Sequence, residues 1–214
     1  MSFISYLING ISLGSVYAII ALGYTMVYGI AKMLNFAHGD IIMVGGYAAF
    51  ISMNSLGVNP ILAVILSVVI CTILGLVIER VAYRPLRNAS SPLAVLITAI
   101  GVSYLLQNLA LLMFGADTKS FTSVVIPAVV LAGGKLTISG ETIVTVLACM
   151  IIMIGLTLFI NKTKAGQAML AVSEDRGAAQ LMGINVNGTI ALTFAIGSAL
   201  AAIAAVLCVL LILP

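Results

Sequence analysis

The chain has 214 residues, of which 63% are hydrophobic and 7% are charged, and its mean hydropathy is +1.29. So few charged residues cannot cover the surface of a water-soluble domain, and a net charge of +3, scattered along the chain, offers no nucleic-acid-binding face. Helices that face lipid are apolar all round and satisfy their backbone groups internally. The composition therefore predicts an all-α polytopic membrane protein, a bundle of transmembrane helices.

Apolar stretches long enough to cross a bilayer core, which takes about 20 residues, predict about six spans. They are approximately residues 7–28, 34–53, 61–78, 93–114, 142–160 and 189–213. The second is the weakest, because its first third contains Asn35, His38, Gly39 and Asp40.

The connections between the spans differ in positive charge, which predicts their orientation, because Lys and Arg near span ends are retained on the cytoplasmic side. Most of the basic residues lie in alternate connections; they are Lys32, Arg80, Arg84, Arg87, Lys162, Lys164 and Arg176. The bias predicts that the segments around Lys32, 79–92 and 161–188 are cytoplasmic. The amino terminus and the connections 54–60 and 115–141 are then external.

The long external connection contains AVVLAGGKLTIS, in which two β-prone runs flank Gly133 and Gly134. Such a glycine pair is favoured in a tight turn, so we expect a small external hairpin here. The GGK triplet is not a phosphate-binding loop, because glycine is missing five places before Gly134 and Leu136 stands where Ser or Thr is needed. ATP must therefore be handled by other chains.

Groupings typical of a metal site, a disulfide framework or a catalytic centre are absent from the sequence. Cys71, Cys149 and Cys208 each lie in an apolar run, where a thiol usually behaves as a small hydrophobic side chain. His38 is the only histidine, and Asp40 beside it cannot complete a metal shell. We expect no catalytic residue, no metal and no cofactor in this chain.

The segment KMLNFAHGD, residues 32–40, admits two interpretations. It is either a solvated cytoplasmic turn that caps the second span, or a broken half-helix that starts inside the membrane and faces a transport path. In the second case, free N–H groups near Gly39 and Ile41 would favour a substrate carboxylate, and Asp40 would receive an amino group. The candidate path residues of this segment are Asn35, His38, Gly39 and Asp40.

Polar side chains also occur within the fourth span, where they are costly unless they are paired or face a cavity. They are Thr98, Ser103, Gln107 and Asn108. Gln107 lies four residues after Ser103, so the two share a helical face. These residues either hydrogen-bond to neighbouring helices, as is common for such side chains, or line the substrate path.

The last span carries small residues at four-residue spacing, Gly197, Ala201 and Ala205, with Ser198 and Ala202 beside them. A face of this kind lets helix backbones approach closely inside lipid. We expect it to pack against another span or another subunit.

The connection 161–188 is predicted to contain a short helix at the inner membrane surface. Ser173 is placed to cap it, and Glu174 and Asp175 in its first turn suit the positive end of the helix dipole. Gly183 supplies a left-handed stop.

The apolar face of this short helix comprises Ala178, Ala179, Leu181 and Met182. The helix either merely connects two spans at the interface or docks into a partner whose groove closes on the small side chains. Both interpretations fit the pattern.

Within this connection, Ala178, Ala179 and Gly183 resemble the EAA...G cytoplasmic motif of ABC importer permeases. Gly177 stands where that motif carries Glu, and the Leu-Pro that ends its longer form is absent. The resemblance implies a role in coupling to an ATPase subunit. The implied coupling residues are Glu174, Asp175, Ala178, Ala179 and Gly183.

The whole chain resembles the LivH-type branched-chain amino acid permease family, in stretches that follow the family's order. They are NGISLGSVYAIIALGYTMVYGI (9–30), NFAHGD (35–40), ERVAYRPLR (79–87), ITAIGVSYLLQNLALLMFG (97–115), LTISG (136–140) and EDRGAAQLMGIN (174–185). The resemblance implies one permease domain over 1–214, with 161–188 as its cytoplasmic coupling segment. Family members continue with further helices, so we expect the domain to be partial.

This resemblance also implies a setting in the inner or plasma membrane of a prokaryote, where the charge bias predicts an external amino terminus. The implied partners are a second permease subunit, two ATP-binding cassette subunits, an extracytoplasmic substrate-binding protein and the lipid bilayer, with no nucleic acid. ATP hydrolysis then belongs to the partner chains, and this chain is a transport subunit without enzymatic activity.

The function expected from the sequence is that of the membrane-spanning permease subunit of an ATP-driven importer for branched-chain or related amino acids. The alternative is a secondary transporter or channel driven by an ion gradient, with 161–188 only a connector. A transporter of that kind would be expected to carry acidic or basic residues in the middle of its spans, and Asp40 is the only such residue in the sequence. Amides and urea remain possible substrates.

Overall fold

A computed structural model describes residues 2–87, 92–117, 129–131 and 136–212 of the chain. The elements are α1 (Ser2–Ala31), α2 (His38–Asn54), α3 (Pro60–Ile78), a π-helical turn (Glu79–Tyr83), a 3₁₀ turn (Arg84–Leu86), α4 (Pro92–Phe114), β1 (Val129–Leu131), β2 (Leu136–Ile138), α5 (Gly140–Lys162), α6 (Lys164–Glu174), α7 (Arg176–Leu181) and α8 (Val186–Ile212).

Within these described ranges, five helical segments are long and apolar enough to cross a membrane. They are Tyr6–Ala31, Pro60–Leu86, Leu93–Phe114, Gly140–Lys162 and Val186–Val209. They coincide with five of the predicted spans, so the prediction of an all-α polytopic bundle is confirmed.

The remaining predicted span, 34–53, is represented by the shorter helix α2. It has 17 residues, or about 25 Å at 1.5 Å per residue, which is less than the ~30 Å of a typical bilayer core. Its polar beginning is the physical reason, because the chain from Lys32 to Ala37 is not helical and α2 starts only at His38.

Helix α8 lies at the centre of the bundle, and α1, α2 and α3 pack against it through small residues. The backbones of α3 and α8 approach so closely at Gly75 that an added Cβ would lie 1.9 Å from Ser198 Oγ. A Cβ on Gly45 of α2 would lie 3.1 Å from Ala202 Cα. The small-residue face predicted for the last span therefore packs within this chain, where van der Waals contact holds membrane helices together.

The buried core combines alanines with larger apolar side chains, and many other large apolar residues face outward, as a lipid environment favours. Tyr83, below α3, and Phe194 on α8 form a fully buried pair with ring centroids 5.3 Å apart. Cys71 and Cys149 are buried free thiols, as expected of small hydrophobic side chains.

The connection between α4 and α5 contains the two predicted strands. Val129, Val130 and Leu131 pair with Ile138, Thr137 and Leu136 in antiparallel register. The turn residues predicted for this hairpin, Gly133 and Gly134, lie outside the described residues.

Candidate functional site

The first turn of α2 lies inside the bundle. Lys32, directly after α1, adopts the left-handed backbone conformation, with φ of 51°. The chain then turns back between the helices. A Cβ on Gly23 would lie 3.1 Å from His38 Cε1 and 3.2 Å from the carbonyl oxygen of Gly197. Since Gly23 precedes the end of α1 by eight residues, the His38 side chain reaches a level about 12 Å along α1 from that end.

His38 is enclosed at this position, with 4% of its surface exposed. Its ring lies edge-on to Tyr24, with centroids 6.0 Å apart. Nδ1 and Nε2 are both buried, and neither has a hydrogen-bond partner within the described part of the chain. Buried polar atoms are normally paired, and the backbone of Ile20 on α1 is near enough to His38 to interact with its ring, although the bond is not well formed.

Asp40, also in the first turn of α2, is 7% exposed and joins α2 to α4. The Nε2 group of Gln107 donates to Asp40 Oδ1 at 2.9 Å and contacts Ser103 Oγ at 3.1 Å. A carboxylate at the amino end of a helix is stabilised by the positive end of the helix dipole. The structure thus brings Asp40, Gln107 and Ser103 together, and we call them the polar chain.

The backbone beside the polar chain is open. Ala37, the N-cap of α2, provides no side-chain cap. The N–H groups of Gly39 and Asp40 have no hydrogen-bond partner among the residues that the structure describes. A Cβ added to Gly39 would meet nothing within 4 Å. The expectation of a free N–H at Ile41 is wrong, because that group donates to Ala37 O at 3.0 Å as the helix begins.

The other candidate path residues lie outside the polar chain. The Tyr83 hydroxyl donates to Oδ1 of the buried Asn35 at 3.0 Å, which fixes the connection before α2. Thr98 and Asn108 each donate to a backbone carbonyl of α4 itself, those of Ala94 and Tyr104.

The predicted coupling segment forms two helices, α6 and α7, and the predicted Ser173 cap is wrong. Ser173 lies in the last turn of α6, where its hydroxyl donates to Leu170 O at 2.6 Å. Asp175 caps α7 instead, because its Oδ1 accepts from Gly177 N at 2.7 Å and Ala178 N at 3.0 Å. A carboxylate with two backbone donors is the stronger cap.

Helix α7 ends where the sequence predicts. Gly183 has φ of 83°, and its N–H donates to Gln180 O at 3.0 Å. The N–H of Ile184 donates to Ala179 O, also at 3.0 Å. This pair of bonds is the Schellman motif, in which a left-handed glycine stops the helix.

The predicted apolar face of this segment is divided between the core and the surface. Ala179 is 4% exposed and belongs to the core of its own chain. Leu181 and Met182 are 90% and 82% exposed, and Ala178 is exposed beside them. We call Ala178, Leu181 and Met182 the α7 tip. Glu174 and Asp175 are exposed at the opposite end of α7.

Polar contacts of two arginines, Arg176 and Arg87, connect the ends of several helices. Arg176 donates to Ala31 O at the end of α1. Arg87 pairs with Glu79 and donates to Asn187 Oδ1 at the start of α8. The side chains of Arg87 and Glu79 are 6% and 3% exposed.

Sequence reasoning missed this pair. Glu79 and Arg87 are eight residues apart, which is not a helical pairing distance. The π and 3₁₀ turns between them bring the side chains together. The only signal was an acid and several arginines within the short stretch ERVAYRPLR.

Comparison with known proteins identifies a family over nearly the whole chain. The family described as branched-chain amino acid transport system, permease component, matches residues 6–213. The high-affinity branched-chain amino acid transport system permease protein BraD of Pseudomonas aeruginosa is 42% identical over 216 residues, covering 96% of this chain and 70% of that protein.

Other relatives have corresponding names. The permease protein LivH of Escherichia coli K12 is 41% identical, with the same coverage of 96% and 70%. A probable branched-chain amino acid transport permease of Methanocaldococcus jannaschii is 31% identical over 87% of this chain and 60% of its own length. No solved structure matches the chain.

Proposed function

The chain belongs to the family of permease components of branched-chain amino acid transport systems, and we propose that it moves such amino acids through the membrane in an ATP-driven importer. It is a membrane-spanning permease subunit. The observation that carries this function is the family match over residues 6–213, joined to five helices suited to crossing a membrane.

The partners that we propose are a second permease subunit, two ATP-binding cassette subunits and an external substrate-binding protein. The sequence supports separate ATPases, because its one GGK triplet lacks the remainder of a phosphate-binding loop. The positive charge bias supports a cytoplasmic position for Arg87 and Arg176 and an external amino terminus. The proposed setting is the cell membrane of a prokaryote, because the similar permeases are from bacteria and an archaeon.

We propose that the start of α2 and the polar chain contact the substrate in transit. A free amino acid presents an ammonium and a carboxylate on the same carbon. Asp40 is a buried acceptor suited to the ammonium, and the open N–H groups of Gly39 and Asp40 lie at a helix amino terminus, which favours a carboxylate. Gln107 and Ser103 orient the Asp40 carboxylate from α4.

The α7 tip is the proposed docking surface for an ATPase subunit. Its apolar side chains are exposed, whereas Ala179 anchors the helix in the core and Gly183 fixes its end. Arg176 joins the base of α7 to the end of α1. A movement of α7 is thereby transmitted to the spans. The two states of the ATPase must contact the tip differently, because a partner that binds both states equally shifts nothing.

The test is uptake by the transporter reconstituted with its partners in proteoliposomes. We expect ATP-dependent uptake of leucine, isoleucine or valine that stops when the ATPase subunits are inactivated and continues when ion gradients are dissipated. Other amino acids, amides and urea, offered as competitors, define the substrate range. Uptake that follows an ion gradient without ATP would instead support a secondary transporter.

A further inference from the structure

Two cavities meet at the end of the bundle that carries Arg84, Arg87 and Arg176. The first, of about 490 Å³, is lined mainly by Leu, Val and Met side chains of the α1–α2 connection and the start of α4, and we call it the apolar cavity. The second, of about 540 Å³, is lined by Arg84, Arg87 and Arg176 and by amide side chains of α7 and α8, and we call it the arginine cavity. Both volumes lie in the range of about 300–1,000 Å³ that ligand pockets occupy.

The two cavities share part of their walls. Arg87 and Arg176 line both of them. A ligand that fills both would therefore need an apolar part in the apolar cavity and an anionic part in the arginine cavity. The guanidinium groups of Arg87 and Arg176 would lie between the two parts. Neither an inorganic anion nor an acidic protein side chain would fill the apolar cavity.

The arginine cavity has unbalanced positive charge. No acidic residue is among the described residues that line it. The carboxylate of Glu79 pairs with Arg87 but is not among the residues that line this cavity. The side chain of Arg84 is exposed and has no hydrogen-bond or ion-pair partner in the described ranges. Burial lowers the pKa of Arg87, Glu79 opposes this change, and the charges of Arg176 and Arg84 add to it. A bound anion would relieve this repulsion.

We propose that the two cavities form one binding site for an anionic phospholipid, with its phosphate in the arginine cavity and an acyl chain in the apolar cavity. Guanidinium groups match phosphate oxygens in charge and in hydrogen-bond geometry. Basic pockets between membrane helices on the cytoplasmic side are suited to anionic headgroups. The lipid would hold α1, α4 and α7 together where few protein contacts join α4 to the bundle. The two cavities share no lining residue with the polar chain, and the test of this site measures lipid binding and not transport.

Native mass spectrometry of the detergent-purified protein tests the site by titration with dioleoyl phosphatidylglycerol or dioleoyl phosphatidylcholine. The acyl chains are identical, so a difference in apparent Kd reports the headgroup. Both headgroups carry a phosphate, but the choline ammonium of phosphatidylcholine would be repelled by the three arginines of the cavity, so we expect phosphatidylglycerol to bind at least about ten-fold more tightly. Equal affinity for the two lipids would overturn the proposal.

Arginine variants locate the headgroup. Arg84→Gln removes a cavity charge that has no described protein partner, and we expect the preference for phosphatidylglycerol to fall roughly ten-fold. The matched control is Arg80→Gln, the same change at an exposed residue that lines neither cavity. If both variants lose the preference equally, general surface charge explains the binding and the proposed site is wrong.

Tryptophan variants locate the acyl chain. Leu96→Trp would fill the apolar cavity and weaken phosphatidylglycerol binding, whereas Leu105→Trp on the outer face of α4 would leave it unchanged. Size-exclusion profiles identify variants that fail to fold, and Leu96→Phe then serves as the milder substitution. Equal binding by the two positions would overturn the acyl-chain assignment.

Two further experiments test whether a free anion or an acidic surface of the ATPase occupies the arginine cavity instead of a lipid. Inorganic phosphate at the same concentration should not displace the lipid; displacement would assign the site to a free anion. The assembled transporter with its ATPase subunits should retain the preference for phosphatidylglycerol. Its loss on assembly would assign the arginine cavity to an acidic surface of the ATPase and overturn the lipid proposal.

Discussion

Gln107 of α4 donates a hydrogen bond of 2.9 Å to Asp40 in the first turn of α2, across 67 residues of sequence. The bond connects a largely buried carboxylate to an exposed amide on the surface of α4. Because α4 otherwise contacts the bundle sparsely, this bond makes the orientation of Asp40 depend on the position of α4.

Replacing Asp40 by Asn should reduce amino acid uptake about ten-fold or more. Asn keeps an oxygen that accepts from Gln107, so the fold is retained, but it lacks the charge that the substrate ammonium requires. The measurement is the initial rate of leucine uptake in reconstituted proteoliposomes. Asp117→Asn, the same change at an exposed position, is the matched control. Unchanged uptake in the Asp40 variant would remove this residue from the substrate path.

Replacing Glu79 by Gln should destabilise the protein by about 3–5 kcal/mol, because Arg87 would remain charged and buried without its partner. The double variant Glu79→Gln, Arg87→Gln should recover much of that loss. Thermal unfolding in detergent measures both effects. Additive losses in the double variant would show that the two side chains do not act as a pair.

The change Leu181→Asp should abolish co-purification with the ATPase subunits while leaving the permease folded. Leu181 is 90% exposed, so the variant alters a surface and not the core. Leu170→Asp is the control, the same change at an exposed position of α6. Ala179 is unsuitable for this test, because it is buried in its own chain and a bulky residue there would disturb the core. Retained binding by the Leu181 variant would count against docking at the α7 tip.

Replacing Gly183 by Ala should loosen the end of α7. A left-handed conformation costs an ordinary L-residue about 1–2 kcal/mol, and Gly183 has φ of 83°. Asn tolerates this region better, so Gly183→Asn should have the smaller effect. Hydrogen exchange at the N–H of Ile184, which donates to Ala179 O, reports the opening directly. Equal protection in wild type and both variants would contradict the Schellman assignment.

The change Gly75→Ala should destabilise the contact between α3 and α8 by about 1–3 kcal/mol, as overpacking does. The added Cβ would lie 1.9 Å from Ser198 Oγ, so Ser198→Gly in the same chain should restore part of the stability. Gly101→Ala on α4 is the control, because its Cβ would meet nothing within 4 Å. The unfolding temperature in detergent is the measurement. A Gly75 variant as stable as the Gly101 variant would mean that the helices are farther apart.

Several features of the fold and the site could be predicted from local sequence alone. Apolar length identified the helices that cross the membrane, because the bilayer forces backbone groups to be satisfied within each helix. Gly183 was recognisable as a helix stop because its left-handed conformation is a local requirement. The Ser173 cap failed because α6 continues to Glu174, and Asp175, two residues after Ser173, caps the next helix instead.

Length and apolar patterning determined by themselves that this protein is a helical membrane bundle. Each helix that crosses the lipid must be apolar and must satisfy its backbone groups internally, and both requirements are local. Only the tertiary structure decided that α2 begins inside the bundle and that Ala179 is buried whereas Leu181 is exposed. It also decided that Asp40 meets Gln107. These relationships depend on how helices far apart in sequence pack around α8, and that packing is set by close contacts of small residues that no local pattern assigns to particular partners.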